Sequence, residues 1–123
     1  ENNGFDGRVV SSDGDQAVVD TELGQLRGRR FDHLPIGAKA TVFIRPEALR
    51  IAAANETPAL HATVTSQAFE GNATQLFLKG SADKAITVHL SRQDDATLLG
   101  AGKSVALVYA PKDAMVLPAS AAT

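Results

Sequence analysis

Apolar side chains at every second position limit how this chain can fold more than any other feature. Successive side chains of a strand point to opposite faces, so a period of two marks a ribbon with one buried face. Leu60, Ala62 and Val64 alternate with His61, Thr63 and Thr65. Ile86, Val88 and Leu90 alternate with Thr87 and His89, and Val105, Leu107 and Tyr109 with Ala106 and Val108. The rhythm also runs through Ala40-Thr41-Val42-Phe43-Ile44, where Phe43 makes the second face apolar too and predicts a strand covered on both sides. Further strands are expected over residues 7–11, 16–20 and 74–79, with a weaker signal over 25–29.

Turn chemistry separates these runs. Ser12-Asp13-Gly14-Asp15 predicts a hairpin, because Asp-Gly tolerates the positive φ that tight hairpins need. Glu70-Gly71-Asn72 and Lys79-Gly80-Ser81 read the same way. A short helix is expected over 91–99, with Ser91 as its N-cap and Asp94 and Asp95 near its positive end. Pro46-Glu47-Ala48-Leu49 and Pro111-Lys112-Asp113-Ala114 each suit a single helical turn, since proline at the first position gives up an N–H that has no partner there. Many short strands with so little helix predict an all-β fold, a small barrel or sandwich.

The chain also repeats itself. Gly37-Ala38-Lys39-Ala40-Thr41-Val42-Phe43-Ile44-Arg45-Pro46-Glu47-Ala48-Leu49-Arg50-Ile51 has a counterpart from Gly102 to Leu117: a glycine turn, a buried strand, a proline, an acidic turn with alanine, then an apolar residue. Gly7-Arg8-Val9-Val10 corresponds loosely to Ala62-Thr63-Val64-Thr65, and residues 52–59 read as a connector. We expect one region over 1–123, with repeat halves at about 5–52 and 60–118. Halves of roughly 60 residues are marginal alone, so they should pack on each other around a shared core.

Val42-Phe43-Ile44-Arg45-Pro46-Glu47-Ala48-Leu49-Arg50-Ile51 resembles the Arg-Pro-Glu motif of TOBE domains, which follow the nucleotide-binding domain in bacterial ABC-importer ATPase subunits. Phe5-Asp6-Gly7-Arg8-Val9-Val10 is similar to the family's opening strand, Phe69-Glu70-Gly71 with Thr74-Gln75-Leu76-Phe77-Leu78 to its second-half hairpin, and the stretch from Gly102 to Leu117 to its closing strand and turn. The likeness runs from Phe5 to Leu117. It implies an OB-like small β-barrel of two repeated units, a homodimer, and a non-catalytic regulatory and dimerisation role in importers of polyamines, ferric iron, sugars, sulfate or phosphonates. It further implies an upstream nucleotide-binding domain that would hold ATP and Mg, with no cofactor in this chain. Membrane permease subunits would be partners, and the site of action would be the cytoplasmic face of the bacterial inner membrane, without insertion into the bilayer. The start at Glu1 rather than Met suggests a fragment.

Gly100-Ala101-Gly102-Lys103-Ser104 ends like a phosphate-binding loop, but Thr97 stands where that loop needs its first glycine, and an alternating strand follows instead of a helix. An ordinary turn is expected. His33, His61 and His89 lack metal-ligand spacing, and the chain has no cysteine to complete a site or to act as nucleophile. The pairs Asp13/Asp15 and Asp94/Asp95 read as a turn and a helix start. Arg27, Arg29 and Arg30 beside Phe31 form the basic cluster, suited to clamping anions or stacking on bases. With a net charge of -2 the chain offers no field to steer nucleic acid, so a solvated strand end or subunit contact is favoured there. Arg45 and Glu47 suit charge-assisted bonds to neighbouring backbone or a partner, and secondarily to a ligand. Candidate interface or ligand contacts are therefore Arg45, Glu47, Arg27, Arg30 and Phe69, with no catalytic or metal residues expected. Rival readings are a small-ligand or oxyanion sensor and an OB-like nucleic-acid-binding module.

Overall fold

A computed structural model of the chain describes residues 2–91 and 100–119. Among them are ten strands: β1 (Asn3–Asp13), β2 (Gln16–Thr21), β3 (Gly24–Arg30), β4 (Lys39–Ile44), β5 (Arg50–Ile51), β6 (Leu60–Glu70), β7 (Ala73–Lys79), β8 (Ala85–Ser91), β9 (Ser104–Val108) and β10 (Ala114–Pro118). Proline starts two of the 3-10 turns, at Pro46–Ala48 and Pro111–Asp113, as expected. Beyond Ser91, the helix expected over 91–99 lies outside the described residues.

The strands form two units on one plan. β1, β2, β3, β10 and β4 close a barrel in that order, and β5, β9, β6, β7 and β8 form a second sheet. In each unit three antiparallel strands meander, and the fourth pairs back on the first. The fifth is exchanged: β10 completes the first unit and β5 joins the second. Both opening strands carry a bulge, between Val9 and Ser11 and between Val64 and Ser66. At Val9 the N–H donates to the Ala38 carbonyl (2.9 Å) and the C=O accepts from Gly37 (2.7 Å); at Val64 the partners are Lys103 and Gly102, both at 2.8 Å. Gly37 and Gly102 sit at φ +89, a left-handed conformation that glycine adopts without strain. The repeat seen in the sequence is thus a repeat of backbone hydrogen bonds.

The units differ in closure. β10 pairs with β4 over five residues and also runs parallel to β3, at Met115–Arg29 and Val116–Arg30. β5 pairs only at Arg50 and Ile51, against β9. One buried cluster runs through both units and joins Phe5, Leu26, Ile44 and Leu49 to Leu60, Leu76, Ile86 and Leu107. Burying each such side chain contributes about 1.5–3 kcal/mol.

Two expectations need correction. β4 is covered fully on one face only: Val42 and Ile44 are buried, but Thr41 and Phe43 stay partly exposed. The side chain of Phe43 lies beside Gly4 of β1, which has no Cβ to extend a cover over it. Lys79-Gly80-Ser81 is not a tight hairpin. The link from β7 to β8 spans residues 80–84, closed by the Gly80 N–H on the Lys84 carbonyl (2.8 Å), with Ala82 and Asp83 both at φ 58. Leu23 of the first unit packs so closely on Gly80 that an added Cβ would lie 2.5 Å from it.

Side chains lock the exchange. Thr87 faces Phe77 across the β7–β8 ladder, and its outward backbone groups go to Asn3. The Thr87 N–H donates to Asn3 Oδ1 (2.8 Å), while Asn3 Nδ2 donates to the Thr87 carbonyl (2.9 Å) and to that of Ile44 (3.1 Å). On the other unit, the Arg27 N–H donates to the Tyr109 hydroxyl (2.9 Å), which donates to the Arg27 carbonyl (2.6 Å). Burial pushes the Tyr109 phenol above its ordinary pKa, against the lowering effect of the Arg27 backbone bond, so the hydroxyl stays protonated and able to donate. Replacing Asn3 by Ala strips the buried Ile44 carbonyl and the Thr87 edge of partners and should cost about 2–3 kcal/mol. Tyr109→Phe, at a wetter site, should cost about 1 kcal/mol. Urea unfolding checks both, and an Asn3→Ala loss no larger than that of Tyr109→Phe would contradict the bridging role of Asn3.

Candidate functional site

The proline turn after β4 sets up the most distinctive group of polar side chains. Arg45 is extended (φ -67, ψ 148) and its carbonyl accepts from the Ala48 N–H at 2.9 Å. Pro46 is buried, so its neighbours Arg45 and Glu47 are both turned to solvent. The turn packs on β8 of the other unit. Arg45, Pro46 and Glu47 there line a cleft of about 300 Å³ together with Asn2 and His89. His89 is half-buried, and its Nε2 lies 3.0 Å from Gln75 Nε2. An amide nitrogen only donates, so an imidazole that accepts there carries its ring proton on Nδ1.

Sequence reasoning missed Asn2 and His89 as members of this group. The available signal was weak: His89 occupies an outward position of a strand whose edge is not recognisable from its period.

The other candidates lie elsewhere. Arg27 is exposed on β3, with Nη1 3.4 Å from Gln16 Oε1. Arg30 is half-buried; its Nη1 donates to the Asp32 carbonyl (3.2 Å), and its Nε is buried without a partner. Between them Arg29 sits 5.2 Å over the ring of Phe31, a cation–π contact at a ring that is 56% exposed. Phe69, 66% exposed, stands near the β6–β7 hairpin. The five candidates thus occupy three places: a cleft, a basic strand end and a hairpin end.

The phosphate-loop lookalike is a turn. Gly102 gives its N–H to Val64, and β9 follows at Ser104, so neither that donor nor a helix end faces a phosphate. Among the described residues no group of three or more His, Asp or Glu is placed to hold a metal. A broader groove of about 1,200 Å³ runs past Gly4, Asp6, Arg8, Thr41, Phe43 and Lys84. Several of its polar groups are already engaged: Thr41 donates to Asp6 (2.7 Å), and Arg8 to the Gly37 carbonyl (3.0 Å).

A family model described as TOBE domain matches residues 42–117, from within β4 to within β10. Among solved structures the chain is similar to ModG, described as a cytoplasmic molybdate-binding protein and solved with molybdate bound. The TM-score is 0.78 at 16% identity, over 93% of this chain and 94% of that one. A likeness at that identity shows the fold.

The connector behind β5 has its own clamp. Arg50 Nη1 donates to Glu56 Oε1 at 2.7 Å in a two-pronged pair, and the Ala53 N–H donates to the same oxygen at 2.8 Å. The Arg50 bonds, then the Ala53 N–H, hold the Glu56 carboxyl down at about 2, against an ordinary 4.5. A carboxyl lowered in the folded state contributes stability that is complete above its unfolded pKa and is lost as pH falls through the folded one. Between pH 4.5 and about 2 the native chain should therefore lose stability that a Glu56→Gln variant does not lose. Water and salt screen the pair, so the effect should be small and shrink at high ionic strength. Urea unfolding across that range checks this; a pH-independent difference between the two proteins would refute it.

Proposed function

Since the chain belongs to the TOBE domain family, we propose that it is a non-catalytic regulatory and dimerisation domain serving the ATPase subunit of an ABC importer. The observation that carries this reading is the family match, which opens at Val42 and so takes in the Arg45-Pro46-Glu47 turn. Two copies associate and steady the opening and closing of attached nucleotide-binding domains. A partner or effector that prefers one arrangement shifts the balance by its difference in affinity for the two. ATP and Mg belong to those attached domains, next to the permease subunits on the cytoplasmic face of the inner membrane. Among the described residues no helix is long and apolar enough to cross a membrane. Among the described residues, Val10, Phe31, Ile36 and Phe69 are the exposed large apolar side chains and supply candidate contacts between copies.

A second reading, oxyanion binding, is favoured by the likeness to molybdate-bound ModG. Arg45 in the cleft and Arg27 and Arg30 on β3 are the donors it would use.

Sedimentation equilibrium on the chain should give a dimer at high micromolar concentration. A strict monomer there would remove the dimerisation role. Titration calorimetry with molybdate, tungstate, sulfate and phosphate tests the second reading, and silence across that panel would remove it.

A further inference from the structure

We propose that the cleft where the two β units meet binds a small zwitterion, a molecule of the amino-acid class with an acid group and an ammonium group a few bonds apart. This goes beyond the regulatory reading and stands without it. The cleft, about 300 Å³, matches the lower end of small-molecule sites. One full positive and one full negative side chain face it, Arg45 and Glu47, held apart by the buried Pro46 between them. Among the described residues neither is in an ion pair.

That charge pair selects the ligand. A bare oxyanion attracted to Arg45 meets the carboxylate of Glu47, and a bare cation drawn to Glu47 meets the guanidinium. A zwitterion satisfies both, its acid group accepting two parallel bonds from Arg45 and its ammonium donating to Glu47. Asn2 and His89 add further polar groups that can orient the occupant.

The repeat supplies an internal comparison. The corresponding turn is Ala110-Pro111-Lys112, and it packs on β3, which carries Arg29 where β8 carries His89. That turn carries Lys112 and Asp113 but has Ala110 where the first turn has Arg45, and the Tyr109 phenol caps the Arg27 backbone. At the zwitterion joint the cap is the smaller Asn3 amide. An arginine and a carboxylate flanking the buried proline, Arg45 and Glu47 around Pro46, are therefore found at one joint and not at the other. Arg45 and Glu47 come from the first unit and His89 from the second, so an occupant would touch both.

Titration calorimetry on the whole chain tests this with glycine, β-alanine and γ-aminobutyrate, and with acetate, methylammonium and molybdate as probes of single charge sign. At least one amino acid should bind saturably while acetate and methylammonium do not. Arg45→Gln and Glu47→Gln should each weaken that binding roughly tenfold or more, the scale of one charge-assisted hydrogen bond. Both side chains are exposed, so unchanged urea midpoints should accompany the loss; Arg45→Lys, which keeps the charge, should retain part of the affinity. No binding by any amino acid, affinity unaltered in both variants, or acetate or methylammonium binding as tightly as the amino acids would each overturn the proposal.

Discussion

The outward backbone groups of two strands govern how this molecule is put together. β3 and β8 are the third strands of their units, and each has N–H and C=O groups that its own meander cannot satisfy. Such groups cost free energy when buried unpaired and invite foreign strands when left open. Here they are met from across the joint. Asn3 takes both groups of Thr87, and the Tyr109 hydroxyl takes both of Arg27. The two proline turns pack on the same two strands, the first on β8 and the second on β3. Exchange of β5 and β10 then follows as geometry, because the chain leaving each turn already lies against the other unit.

Neither unit is complete alone. The first lacks a strand between β3 and β4 until β10 arrives from the far end of the chain. The second gains only the two residues of β5, and the connector after it is fastened by Arg50 and Glu56. Such long-range pairing makes folding of one unit conditional on the other and slows folding relative to local topologies. It also makes the pair a stiff block, since moving one unit would tear ladder hydrogen bonds in both.

Much of this fold was legible in the amino-acid order, and what was not has a physical reason. Period-two alternation found β4, β6, β8 and β9 because each has one buried face, and Asp-Gly at the first hairpin needed no context. The glycine–strand–proline repeat was visible because Gly37 and Gly102 meet the same backbone demand. Strand exchange was hidden, since alternation tells which face is buried but not which strand lies alongside. Asn3 was passed over for a related reason: a polar residue before Phe5 looks like a frayed end until its three bonds to Ile44 and Thr87, distant in sequence, are known. Phe43 misled because its exposure depends on Gly4 of another strand. For the site, Arg45 and Glu47 stood out through the motif, while His89 reached the cleft only through a tertiary contact between β8 and the turn.

The same asymmetry bears on where function can reside. The two joints share one plan, and a ligand site needs only one of them to differ. With Tyr109 at one joint, a large ring reaches the partner strand and a single hydroxyl serves both backbone groups. With Ile44 at the corresponding place on the other, the reach falls to Asn3, and the neighbouring turn carries Arg45 and Glu47 in place of Ala110 and Lys112. One joint thus serves as a fastener and the other keeps polar side chains to spare. An occupant there would touch the turn of one unit and β8 of the other at once, and so would add to what holds the two together.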